Sequence, residues 1–162
     1  MESRSQLSQS VVNLQGLEAN IEVNQVQKWL GECTKGEGRH KECAKSKSKK
    51  EGLPRRFIDV GEPKQWPCVP KLLDTVNIQN SDPGAIRYIA LSHSWGTLSE
   101  VEQMLMSTTI KTLDDRRAGI DVLSLPTQYQ AVIVLCRCLG VRYLRIDSLC
   151  IIQVKCTAGA FL

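Results

Sequence analysis

The chain has 162 residues, enough for one domain with a moderate core, and 42 % of them are hydrophobic. A net charge of +4, from 21 Lys+Arg against 17 Asp+Glu, is too mild for a protein built around nucleic acid or a charged membrane surface. No apolar run reaches membrane-spanning length, no secretory leader opens the chain, and seven cysteines are an odd number, so a reducing, cytoplasmic setting is expected.

Residues 1–10, "MESRSQLSQS", are polar and expected to be disordered. Residues 1–28 read as a flexible or helical N-terminal segment. Val26, Trp29 and Leu30 recur at helical spacing, which predicts a short helix before Cys33. Residues 34–52 are rich in glycine and lysine and read as loop. The basic run "RHKECAKSKSKK", 39–50, has no interleaved aromatics, so a base-stacking surface is not expected. Cys33, His40 and Cys43 offer three metal ligands where a structural zinc site needs four, with Cys68 as a conceivable fourth. Their spacing matches no finger pattern, and the expectation is ordinary thiols, a loop histidine and no metal.

"RFIDVG" and "CVPKLLDT" read as two short strands, bracketed by Gly and Pro and able to form a hairpin. "YIALS", 88–92, reads as a strand buried on both faces. "EVEQMLMSTTI" has a helical composition, and "DDRRAGID" reads as loop. "LPTQYQAVIVLCRCLG", 125–140, is the clearest helix. Pro126 suits its first turn, and Gly140 suits the left-handed residue that ends it. Tyr129, Val132, Ile133, Cys136 and Leu139 fall on one face. Cys136 and Cys138 point to nearly opposite sides and cannot chelate together. "VRYLRID" then reads as a strand with Leu144 and Ile146 on one face and Tyr143, Arg145 and Asp147 on the other.

The second half therefore reads strand, helix, strand. Such a unit is normally parallel, so Ser92–Gly96 and Asp147–Gln153 should leave the sheet on the same edge, where ligand sites form in open α/β sheets. In "SHSWG" alternation turns Ser92 and Ser94 one way and His93 the other, a poor geometry for a Ser–His nucleophile pair. Trp95 reads as a packing anchor, Gly96 as a turn residue and Cys150 as a buried thiol. Asp147 has two readings, a loop or helix cap and an acid at a ligand edge.

Three blocks resemble the fungal heterokaryon incompatibility (HET) domain family. They are "WLGECTKGEGRHKECAKSKSKKEGLPRRFIDVG", "YIALSHSWG" and "LPTQYQAVIVLCRCLGVRYLRIDSLCIIQ", in the family's order across residues 29–153. By position, Ser92, Trp95 and Gly96 carry the first core motif and Asp147, Cys150 and Gln153 the second. His93 stands where the family has Tyr, and Arg145 where it has Trp. The latter places a cation in a strand expected to be buried, with Asp147 as its available partner.

The resemblance implies a partial TIR-like (flavodoxin-like) parallel sheet with flanking helices. It implies a lead-in over 29–87, the N-terminal part of the HET domain over 88–153, and a non-family tail over 154–162, as if the domain were cut short. The implied function is fungal non-self recognition and programmed cell death signalling through protein–protein assembly. Protein partners are expected, with no cofactor, no membrane and no nucleic acid. The alternatives are a TIR-like NAD-cleaving enzyme with Asp147 as its acid, and a truncated fragment without activity of its own.

Overall fold

A computed structural model describes residues 22–45, 52–62, 68–78, 86–94, 97 and 99–153. The expected disordered N-terminus over 1–10 and the tail over 154–162 lie outside the described residues.

Helix α1 (Val23–Lys35) starts where the apolar spacing predicts and runs on through Cys33. It ends at Gly36, whose φ of 69° is the left-handed conformation that releases a helix without side-chain strain. A 3₁₀ turn (Gly38–His40) and α2 (Lys41–Lys45) follow, where composition predicts loop. Strands β1 (Arg56–Asp59) and β2 (Lys71–Asp74) form the expected antiparallel pair, with Ile58 opposite Leu72.

Strand β3 (Tyr88–Leu91) leads to α3 (Glu100–Met106). Helix α3 opens on a capping box: the Ser99 hydroxyl accepts from the Glu102 N–H, and the Glu102 carboxylate accepts from the Ser99 N–H. Replacing Ser99 with alanine is expected to cost about 1 kcal/mol. A matched drop in urea midpoint, with unchanged slope, is the check. Helix α4 (Leu113–Ala118) occupies the segment expected to be loop. Its Asp114 and Asp115 lie at the N-terminal end and Arg116 and Arg117 at the C-terminal end, the order that complements a helix dipole.

The long helix α5 (Thr127–Cys138) carries the predicted face into the core: Tyr129, Val132, Ile133 and Cys136 are all buried. Gly140 beyond it has φ 66°, as its position requires. Strand β4 (Tyr143–Ile146) and the single turn α6 (Asp147–Cys150) complete the fold.

The sheet order is β2-β1-β4-β3. Only β3 and β4 run parallel, in register from Tyr88 opposite Tyr143 to Leu91 opposite Ile146. Strand β1 is antiparallel to both β2 and β4. The molecule is thus mixed α/β with a mixed sheet, where a parallel one is expected from the resemblance. The β1–β2 hairpin causes the difference: its second strand turns outward, and its first pairs head to tail with β4.

One face of the sheet, with Ile58, Val60, Leu72, Leu144 and Ile146, packs with the apolar face of α5 into a single core. The other face carries Tyr88, Ala90, Tyr143 and Arg145. Here β3 departs from expectation, since Tyr88 and Ala90 are exposed and only Ile89 and Leu91 turn toward the core. Among the described residues only the face of β3 with Ile89 and Leu91 packs on the core, so the strand has one covered face rather than two.

Candidate functional site

The parallel pairing brings the ends of β3 and β4 to one edge, as the strand–helix–strand pattern predicts. On the open face, Tyr88, Ala90, Leu91, Ser92, Arg145 and Asp147 line a shallow recess of about 250 Å³. Asp147 opens α6, and its carboxylate accepts from Arg145 Nε at 2.8 Å. The pair is wet, with the two side chains 31 % and 69 % exposed. Arg145 is therefore not the buried cation expected of this strand: its face is open to water, and its partner is the acid two residues on.

The opposite side of the same edge holds a hydrogen-bonded chain of three side chains. Tyr129 rises from the first turn of α5 with its ring fully buried. Its hydroxyl lies 3.1 Å from His93 Nε2 and 2.9 Å from Ser148 Oγ. The His93 and Tyr129 rings meet edge to face at 5.1 Å. Burial raises the pKa of the phenol, partly offset by the hydrogen bond to Ser148, so it stays protonated and can donate to one partner while accepting from the other. Alternation predicts the split at this point, with Ser92 and Ser94 exposed and His93 turned inward.

The remaining motif residues are held by backbone geometry. Cys150 is buried, and burial pushes its thiol up to about 11, which removes it as a nucleophile near neutral pH. Gln153 donates its N–H to Thr108 O at 2.7 Å and its side-chain amide to Ile151 O at 2.9 Å. Thr108 in turn donates its N–H to Ser148 O at 3.0 Å, so the segment after α3 clamps the end of the motif. Trp95 and Gly96 lie outside the described residues.

The family model for heterokaryon incompatibility protein (HET) matches residues 88–158. This segment is a HET domain. No curated protein and no solved structure matches the chain. The HET match takes in β3, α5, β4 and α6, hence both the recess and the His93–Tyr129–Ser148 chain. It runs past Gln153, where the motif resemblance ends.

Strands β1 and β2 precede the HET match yet belong to the same sheet. The tie is Asp59, buried at 5 % exposure, which receives a two-pronged contact from Arg142. Arg142 Nε donates to Oδ1 at 2.9 Å and Nη2 to Oδ2 at 2.8 Å. Gly61 adds its N–H to Oδ1 at 3.0 Å. At φ 87° Gly61 adopts a conformation that side chains avoid, and a Cβ there would collide with Cys68 Sγ. Cys68 itself donates to Val60 O at 3.2 Å.

Cys33, His40 and Cys43 are brought together, their ligand atoms all within 4.8 Å of one another. Cys68 is not part of that group. Among the described residues no helix is long and apolar enough to cross a membrane.

Proposed function

We propose that this HET-domain protein acts in fungal non-self recognition, where it drives programmed cell death signalling through protein–protein assembly. The observation that carries this reading is the open face of the β3–β4 pair within the HET segment. Among the described residues β3 is an edge strand, and its exposed Tyr88 and Ala90 give a surface that a partner can cover. The parallel β3–α5–β4 unit supports kinship with TIR-like signalling domains. Enzymatic NAD cleavage is the weaker reading. The recess of about 250 Å³ lies below the usual ligand-pocket range of about 300–1,000 Å³. The Asp147 carboxylate is already engaged by Arg145.

The test is Ala90→Arg, read as cell death on expression in a fungal host and as association measured by light scattering. Ala90 lies opposite Arg145 in the register, so the variant sets two cations side by side on the open face without entering the core. Association is expected to weaken more than tenfold, about 1.4 kcal/mol or more, and killing to fall with it. Undiminished killing by a folded Ala90→Arg chain would refute this surface. NAD turnover by the purified wild type that disappears in Asp147→Ala would establish the enzyme instead.

A further inference from the structure

Among the described residues, the unit over 22–45 has almost nothing apolar to hold it. Helix α1 has no buried residue, and its two large apolar side chains, Trp29 and Leu30, are 58 % and 44 % exposed. The chain nevertheless reverses sharply after α1. Gly36 and Gly38 both take positive φ, and Glu37 N–H returns to Glu32 O at 3.0 Å. A 24-residue unit cannot fold on backbone hydrogen bonds alone, and units of this size use disulfides or metals in place of a core.

The reversal has a specific chemical product. It sets His40 and Cys43, three residues apart on one side of the next turn, against Cys33 near the end of α1. All three ligand atoms fall within 4.8 Å, and Cys43 Sγ is 3.8 Å from His40 Nδ1. In a tetrahedral zinc site the ligand–ligand edges follow from the bond lengths: about 3.8 Å between two sulfurs and about 3.6 Å between sulfur and nitrogen. The observed separations thus need closing by no more than about 1 Å, within the reach of side-chain rotation. Two thiols and an imidazole are borderline-soft donors, which suit zinc and not magnesium or calcium.

We propose that Cys33, His40 and Cys43 bind one zinc ion, with the fourth coordination position open to water. Both thiols lose their protons to solvent as the two zinc–sulfur bonds form, so two protons leave per ion bound. The metal then supplies the cross-link that fixes α1 against α2 in place of an apolar core.

Cobalt(II) is the probe, added to the reduced full-length chain. A saturable visible spectrum of tetrahedral cobalt with thiolate charge transfer is expected at one equivalent per chain, bleached by an equivalent of zinc. Cys33→Ser and Cys43→Ser should each weaken binding at least about 100-fold. Cys68→Ser should leave it unchanged. His40→Cys keeps a ligand at the position, so it should retain the metal and raise the thiolate charge-transfer band by about half, three thiolates replacing two. Absence of a saturable tetrahedral spectrum in the wild type would overturn the proposal. So would full binding in Cys33→Ser, or a charge-transfer band in His40→Cys no stronger than in the wild type.

Discussion

Replacing Arg142 with alanine is expected to lower the unfolding free energy by about 3 kcal/mol, a large part of the stability of a small domain. Asp59 is buried in β1 and receives both prongs of the Arg142 guanidinium. Without them a carboxylate is left in the interior with one remaining donor, the Gly61 N–H. Losing one member of a buried ion pair costs about 3–5 kcal/mol. Arg142 is 38 % exposed, which places this pair at the lower end. Urea unfolding with an unchanged slope is the measurement, and a loss below about 1 kcal/mol would mean that the pair is screened like a surface one.

The same pair sets an acid limit. Burial acts to raise the Asp59 pKa, but the Arg142 hydrogen bonds and charge and the Gly61 N–H outweigh it and hold the carboxyl below its ordinary value. A folded-state pKa below the unfolded one means that stability is fully present above the unfolded value, about 4. It is lost as the pH falls through the folded value. The urea midpoint of the wild type should therefore decline as pH drops below about 4, and Asp59→Asn should remove that part of the decline. An Asn variant with the wild-type slope against pH would place the acid sensitivity elsewhere.

Tyr129→Phe is expected to cost about 1–3 kcal/mol without creating a cavity, because it deprives the buried Ser148 hydroxyl and the inward His93 of a shared partner. Ser148→Ala alone should cost a similar amount. The double variant should lose less than the sum, since it removes both ends of the contact at once, and a coupling energy of about 1 kcal/mol is expected. Strict additivity would show that the hydroxyls are satisfied independently. Arg145→Ala offers the contrast: its pair with Asp147 is exposed, and about 0–1 kcal/mol is expected.

The legible parts of this fold were those governed by period. Helix α5, its buried face, the alternation along β4 and the parallel pairing with β3 follow from positions of apolar residues. What stayed hidden depends on turns and on atoms beyond the hydrophobic pattern. Tyr129 reads as one more core position, yet its hydroxyl builds the link between the two motif segments. The available signal was that a buried tyrosine needs a partner for its O–H. Helix α4 was hidden by its charges, although acids at its start and arginines at its end are a helix signature. The convergence of Cys33 with His40 and Cys43 cannot be read from spacing, because it depends on two glycines taking positive φ. The mixed sheet was hidden for a similar reason: the hairpin is visible in sequence, but which of its edges receives β4 is a tertiary choice.

Strand β4 is made last of the four and sits between strands made long before it. During synthesis the β1–β2 hairpin can close at once, but β3 emerges with no neighbour to pair with. Until β4 leaves the ribosome, both β1 and β3 present bare edges, and the contact that locks them spans 83 positions between Asp59 and Arg142. Long-range closure of this kind is slow, and the waiting edges invite pairing with other nascent chains. The topology therefore makes the arrival of residues 143–146 the step that joins β3 to the hairpin and closes the sheet.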